Sequence, residues 1–406
     1  MLGFLFSKKS ETDAELIFDI GSKSVGGGIF ERQAKGGTKL LYAAREPIAF
    51  QNELTGDVLL ATMLRSFSNL LLHLEKYGIN HLRTASGQKY RIRSATIVIS
   101  SPWHSSETKM IQLNFDKPTV ITKAFVSEII VKEEKDFENS VEKSIQNHPD
   151  FCVLERKIME IRLNGYTTAV PYGKETQNIE IRLFNSVASV KMLERIESLI
   201  VHYFHIDNFI FHTFSVASYV SIRDAFRGIE DFLIVQIGGE VTDVVIAKNG
   251  TLTETISFPF GHNGLLRVLD KICAGHPQCS LEALLTLHET AGITTTDKQK
   301  VESALSETKK LWWKHFNQAV SNFSQNAYLP EMVFLFEESP YSTFFETVLS
   351  EANPDKLAAG SSSLTIKVVG RDVLKKIEGN VIHDPILAME TEFAASLDQK
   401  NFISLS

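Results

Sequence analysis

The sequence predicts an α/β protein of two related halves, with a smaller strand–helix–strand–strand unit inserted between them. Three observations lead there. The stretch "FDIGSKSVGGGIF", 18–30, opens a pattern of strand, glycine turn, strand, tight turn, strand. The same pattern returns at "FLIVQIGGEVTDVVIAKNGTLTETISF", 232–258, and a recurring supersecondary unit points to structural duplication. Between the two copies lies a segment of different character, about 90 residues long, enough for a subdomain of its own. The chain has 406 residues, 43% apolar and 22% charged, which allows two to four compact units with substantial cores.

Taken in order, 16–20 reads as a buried strand and 25–31 as a second. Gly36-Gly37 supplies a tight turn into a third strand at 38–45. Residues 55–77 carry Val58, Leu60, Met63, Leu64, Phe67, Leu70 and Leu74 near helical spacing. "SATIVISS" is a strand and is placed at the entry to the insert. Residues 122–145 read as a charged amphipathic helix with Phe125, Ile129, Phe137, Val141 and Ile145 on one face; Lys132 to Asp136 would be a solvated part of it. Strands near 158–163 and in "NIEIRLF" follow. Residues 189–204 form a helix through Val190, Leu193, Ile196, Ile200 and Tyr203. In the second copy Asn249-Gly250 is a type I′ hairpin signal. A long helix over 297–323 follows, with Val301, Leu305, Trp312, Phe316 and Phe323 inward and Thr296-x-x-Gln299 as its capping box. The halves are divided as 1–93, 187–226 and 380–406 for the first, 94–186 for the insert, 227–268 and 328–379 for the second, and 269–327 for a helical subdomain.

Composition narrows the partners. Net charge is −7 with no long basic run, which argues against nucleic acid. Cys152, Cys273 and Cys279 form no C-x-x-C and read as reduced thiols of an intracellular protein. No apolar run is long enough to span a bilayer. The start, "MLGFLFSKK", is too short for a secretory signal and reads as a tail or edge-strand start, with weak membrane or partner contact as the other reading.

The glycine turns raise the question of phosphate. The first is not a Walker loop, because a strand rather than a helix follows and Gly-Lys is absent. A hairpin turn can still hold an anion through closely approaching backbone amides. Gly21, Ser22, Lys23 and Ser24 would give amides, hydroxyls and a cation, and Asp19 would hold a hydrated Mg²⁺. Gly238, Gly239 and Thr242 form the second turn, and two such turns facing each other would clamp a triphosphate. Against this, Asp-x-Gly turns also occur in proteins that bind nothing, and Gly26 to Gly28 lie within a strand, where close approach of another backbone explains them. His202, His205 and His212 lack the carboxylate or cysteine company of a metal site and read as cap or surface residues. Trp312-Trp313 reads as core rather than a partner anchor.

The two hairpins resemble the phosphate-one and phosphate-two motifs of the actin superfamily, and the insert resembles that of the branch containing FtsA and PilM. "IRSATIVISSPWHS", "VKMLERIESLIVHYFHIDNFIFHTFSVASYVSI" and "FLIVQIGGEVTDVVIAKNGTL" carry the likeness, in that order, along nearly the whole chain. The resemblance implies an actin-like ATPase fold, two RNase-H-like halves with ATP and Mg²⁺ between them. It implies a scaffold at the inner face of the cell membrane, recruiting cytoplasmic tails of membrane proteins in pilus assembly or cell division, with self-association as a further expectation. The alternative is an active, polymerising Mg-ATPase in which Asp19 and Asp243 place Mg²⁺ and water. Three departures weaken the nucleotide site. Gln236 stands where the motif has aspartate, and Glu240 where it has a small residue. "VFLFEESPYSTFFETVL" puts Glu337, Glu338, Ser339 and Pro340 where the family has a glycine-rich adenosine turn. The end, "EFAASLDQKNFISLS", lacks a basic amphipathic helix, so membrane contact is expected through partners.

Overall fold

A computed structural model describes residues 11–33, 37–51, 55–86, 89–144, 150–272, 295–324, 329–337, 342–351, 364–369 and 384–397. The opening "MLGFLFSKK", Gly36, Ile145, Cys273, Cys279, Glu338, Ser339, Pro340 and the last nine residues lie outside them.

In chain order the first unit is β1 (Glu11–Ile20), β2 (Ser24–Arg32), β3 (Thr38–Pro47), α1 (Gly56–His73), a π-turn (Leu74–Gly78), α2 (Ile79–Ser86) and β4 (Lys89–Ile99). The insert is β5 (His104–Val120), α3 (Lys123–Ser144), β6 (Phe151–Leu163), β7 (Tyr166–Thr167) and β8 (Glu175–Ser189). The chain returns through α4 (Val190–Phe204), β9 (Phe209–Thr213) and α5 (Phe214–Ala225). The second unit is β10 (Phe232–Ile237), β11 (Thr242–Lys248), β12 (Thr251–Phe258), α6 (His262–Ile272), α7 (Thr295–Ser324), β13 (Met332–Phe336), α8 (Ser342–Ser350) and β14 (Thr365–Val368), after which α9 (Pro385–Ser396) returns to pack on β1, β2, β3 and α5 of the first.

Two five-stranded sheets share one plan. The first runs β3-β2-β1-β4-β9, the second β12-β11-β10-β13-β14. In each, a three-strand antiparallel meander continues into two parallel strands. The duplication read from the hairpins therefore extends through the whole of both sheets. Asn249 (φ 50°) and Gly250 (φ 68°) form the left-handed pair that a type I′ turn requires.

The layers alternate helix and sheet. Outside the first sheet, α1 and α4 bury Met63, Phe67, Leu70, Ile196 and Ile200 against Leu16, Phe18 and Ile97. Between the sheets, α5 and α9 pack Phe214, Val220, Leu387 and Phe393 against Ile17 and Val98 on one side and Ile234 and Phe334 on the other. Beyond the second sheet, α7 and α8 carry Trp312, Phe316, Phe345 and Val348 onto Val235, Val244 and Leu335. Trp312 is thus core, and Trp313 donates its indole N–H to Val348 O at 2.9 Å.

Several expectations shift. β4, placed at the entry to the insert, pairs parallel to β1 and belongs to the first sheet; the third sheet, β5-β8-β6-β7, begins at His104. On α1 the inward residue of the first turn is Leu59, and Val58 faces solvent. On α3 the buried stripe is Val126 and Ile130, with Phe125 and Ile129 beside it; Phe137 and Val141 are buried further along. Thr296 lies inside α7, not at its cap. Gly26 and Gly27 make room for side chains rather than another backbone, while Gly28 faces side chains and the Tyr42 carbonyl, 3.2 Å from an added Cβ. A Cβ on Gly27 would lie 2.9 Å from Leu74 Cδ1, and one on Gly28 2.7 Å from Leu40 Cδ1.

Candidate functional site

The two glycine turns end β1 and β10, the central strands of the two sheets, and they meet. Register makes them equivalent: Asp19 stands opposite Gly26 as Gln236 stands opposite Asp243. The first turn is closed by Gly21 N–H donating to Ser24 O (3.2 Å), and Trp103 Nε1 donates to Gly21 O (2.7 Å). The second is closed by Gly238 N–H to Val241 O (2.9 Å), with the start of α6 capping its carbonyls: His262 N–H reaches Gly238 O and Asn263 N–H reaches Gly239 O.

No gap separates them. Glu240 N–H donates to Ser22 Oγ at 3.0 Å. A Cβ on Gly239 would lie 2.5 Å from Ser22 O and 2.7 Å from Lys23 N, so backbone rests on backbone and only glycine fits. Ser22 is buried.

Among the described residues, the charged groups singled out by sequence have protein partners. Asp19 Oδ2 accepts from Arg45 Nη1 at 2.7 Å; the same nitrogen reaches Ser24 Oγ, and Arg45 Nε reaches Asp384 Oδ2 at 2.7 Å. The guanidinium crosses directly over Gly26, where a Cβ would stand 2.7 Å from Nη2. That is the specific use of this glycine. Asp384 also caps α9, accepting from Ile386 N and Leu387 N through Oδ1. Glu390, fully buried on α9, has its carboxyl held well above the ordinary range by burial first and by the Asp19 charge second.

Lys23 Nζ crosses from the first half to Glu337 Oε1 at 2.9 Å, and the Glu337 side chain is wholly buried. His262 is driven down to about 3 by burial and by the Lys23 charge, so its imidazole is neutral. Glu240 turns away from the first turn into a bidentate pair with Arg267, Nη1 to Oε2 at 2.7 Å and Nη2 to Oε1 at 2.8 Å, with Asn263 Nδ2 also on Oε1. Asp243 accepts from Ser101 Oγ (2.7 Å), Ser101 N (3.3 Å) and Ser257 Oγ. Gln236 Nε2 donates to Ser100 Oγ at 2.9 Å. Thr242 is structural: its hydroxyl donates to Phe260 O and accepts from Trp312 Nε1.

A Mg–triphosphate between the turns would need the Asp19 carboxylate, the Lys23 ammonium, and amides with space before them. Here a guanidinium, a glutamate and the opposing turn hold those places. Among the described residues, this arrangement of the turns does not fit the group.

The three histidines stand apart from this region and from any shared centre. His212 Nδ1 lies 2.6 Å from Glu155 Oε1, which is buried beside the Thr213 amide and hydroxyl. His205 is the left-handed C-cap of α4, and His202 packs edge-on against Tyr203. Sequence reasoning brought Asp19, Ser22, Lys23, Gly239 and Asp243 to one place but missed Arg45, Ser101, Arg267 and Asp384. Arg45 and Arg267 sit in ordinary strand and helix patterns and carry no motif. Only the unusual Gly26 opposite Asp19 signals that something wide must pass over the strand.

No protein-family model and no curated protein matches the sequence. Among solved structures, the PilM-PilN type IV pilus biogenesis complex is similar over 96% of this chain and 97% of that one, with a TM-score of 0.55 and 13% identity. A Bacteroides thetaiotaomicron protein with an actin-like ATPase fold and unknown function is aligned over 93% of this chain and 98% of that one, at a TM-score of 0.37 and 12% identity. The likeness to the PilM structure is one of fold: this chain, with its two duplicated sheets and inserted antiparallel sheet, has an α/β fold of the actin-like kind.

Proposed function

We propose that this actin-like chain is a scaffold at the cytoplasmic face of the membrane, recruiting cytoplasmic tails of membrane proteins, with its nucleotide site given over to holding the two halves together. The fold is similar to PilM, which is solved in complex with PilN of type IV pilus biogenesis, and this favours pilus assembly over cell division. The observation that carries the reading is the contact between the turns. Ser22 accepts from Glu240, and Lys23 reaches Glu337. The charged side chains that an ATPase would present to phosphate or metal here, Asp19, Lys23 and Asp243, each have partners within the protein. The inserted sheet, with its own core of Ile130, Ile161, Ile179 and Leu183, is a stable platform for a partner.

The test is binding of the full chain to cytoplasmic tail peptides of candidate pilus membrane proteins, with and without Mg·ATP. The expected outcome is binding whose affinity nucleotide does not change, with no melting-temperature shift from Mg·ATP alone. Tail binding that requires ATP, or steady phosphate release, would restore the ATPase reading.

A further inference from the structure

The segment that carries the chain from the first sheet into the insert, Ser100 to Trp103, touches both glycine turns on its way. At the first turn, Ser100 N–H donates to Ile20 O at 3.0 Å and Trp103 Nε1 donates to Gly21 O at 2.7 Å. At the second, Ser100 Oγ accepts from Gln236 Nε2 at 2.9 Å, and Ser101 gives Asp243 both its hydroxyl (2.7 Å) and its amide (3.3 Å). Trp103 N–H closes the segment on Ser100 O at 3.1 Å. Ser100, Ser101 and Trp103 are buried, and the next residue, His104, opens β5. One short, internally bonded piece of chain therefore joins the β1 turn, the β10–β11 hairpin and the first strand of the insert.

The seat of the insert on the second half is polar. Side chains alternate across a strand, so His104, Ser106 and Thr108 share one face of β5. Ser106 Oγ lies 3.5 Å from Thr255 Oγ1, which turns that face toward β12. On β8, Ser186 stands opposite Ser106, and Arg182 Nη1 donates to Thr253 O at 3.2 Å. Phe184 is the apolar anchor of this face, within the core between the sheets. Among the described residues, neither ring nitrogen of His104, nor Thr108 Oγ1, nor Ser186 Oγ has a hydrogen-bond partner, and all these atoms are buried. Burial lowers the His104 imidazole below its ordinary value, against the pull of Asp243 and Glu155, so the ring is neutral in the seat. Each unpaired polar group disfavours the seated form and is relieved when the seam parts. The insert's own apolar clusters, around Ile161 and around Val187, contain only insert residues and stay whole in either form.

We propose that Ser100 to Trp103 couples the seating of the insert to the closure of the turns: the insert lifts from β12 as the turns part, and stays seated while they are clasped. Coupling of this kind is reciprocal, so loosening either contact loosens the other. It rests on the contacts of the cleft and the seam, whatever the insert binds.

The test is hydrogen–deuterium exchange of the full chain, followed at 104–108 and 251–257 for the seam, at 236–243 for the turns, and at 59–71 of α1 as a reference away from both. Lys23→Ala, in the clasp and outside the seam, should raise exchange at the seam about tenfold and leave α1 unchanged. In a variant carrying Trp103→Phe and Ser101→Ala, which removes the side-chain bonds of the segment to Gly21 and Asp243, adding Lys23→Ala should no longer change the seam. The reverse arm keeps Lys23 and compares one protein in two states. Ser106→Cys with Thr255→Cys puts thiols where two hydroxyls already face each other, and its oxidised form should exchange more slowly at the turns than its reduced form. Because both states are the same folded chain, this arm does not depend on how far Lys23→Ala weakens the fold. A seam untouched by Lys23→Ala, or loosened only as much as α1, overturns the proposal. So does a seam that still responds in the Trp103 and Ser101 background, or turns that exchange equally in the reduced and oxidised forms.

Discussion

Arg45 shows how one residue decides the character of the cleft. Its guanidinium joins Asp19 on β1, Ser24 on β2 and Asp384 at the cap of α9. All three sites are largely shielded from water, and removing one partner of a buried pair leaves charge uncompensated. Arg45→Ala should therefore cost about 3 kcal/mol or more in urea unfolding, and Asp19→Asn added to it should recover part of the loss. Were Asp19 a solvated metal ligand, Arg45→Ala would cost far less. Glu254 gives a second residue-scale prediction. It lies on β12 against the insert, where Arg182 Nη1 donates to Thr253 O. Burial raises its carboxyl to about 7, with Glu107 adding to the rise and Arg182 opposing it. The folded chain thus keeps a proton that an unfolded glutamate releases near its ordinary value. The stability tied to that proton is complete below the unfolded value and is lost as pH rises through 7. Partial exposure limits the effect to about 1 kcal/mol between mildly acidic and mildly alkaline pH. Urea midpoints at both ends of that window should show the slope in wild type and a flatter one in Glu254→Gln.

At the scale of elements, the second turn makes its demand through Gly239. Its added Cβ would meet Ser22 O, Ser22 C and Lys23 N, all backbone, which cannot rotate away. Gly239→Ala should destabilise by about 3 kcal/mol. Gly56→Ala, at the start of α1 with nothing within 4 Å of the added carbon, should change little, and thermal melts of the two variants make the comparison. The hairpins themselves were legible because turn chemistry is local. Asp19-Ile-Gly21, Gln236-Ile-Gly238 and Asn249-Gly250 each announce a bend within a few residues, and the strands around them are continuous apolar runs. What the pattern could not carry was pairing at a distance. β4 reads as a strand equally well at the entry to the insert or in the first sheet; only its parallel register with β1, from Glu11↔Lys89 to Ile20↔Ile99, decides it. Helix phase slipped for a similar reason. Val58, Leu59 and Leu60 are consecutive apolar residues, and only the sheet beneath α1 selects Leu59. In the cleft, the expected groups converged, but their partners Arg45 and Arg267 come from positions whose sequence neighbours give no hint of a site.

For the whole molecule, the question is whether the halves move as separate lips or as one body. The apolar layer between the sheets already joins them, since Phe214, Phe393 and Phe334 belong to one continuous core. The turns then add a polar clasp at its edge, where Lys23 from the first half meets Glu337 from the second at 2.9 Å. The Glu337 side chain is fully buried, and that of Lys23 is only 19% exposed, so solvent screens the pair poorly. Opening the cleft would take the lysine away from that buried carboxylate. A double-mutant cycle reads this directly. Lys23→Ala and Glu337→Ala should each lower unfolding free energy, and the double variant should fall short of their sum by about 1–3 kcal/mol. The same cycle repeated with saturating Mg·ATP should give the same coupling, because the clasp and a bound triphosphate compete for one ammonium and the clasp is the occupant. Additive losses would mean that Lys23 spends its time elsewhere and the lips part in solution. A coupling that vanishes on adding Mg·ATP would mean that Lys23 is a phosphate ligand after all, with Glu337 only its resting partner.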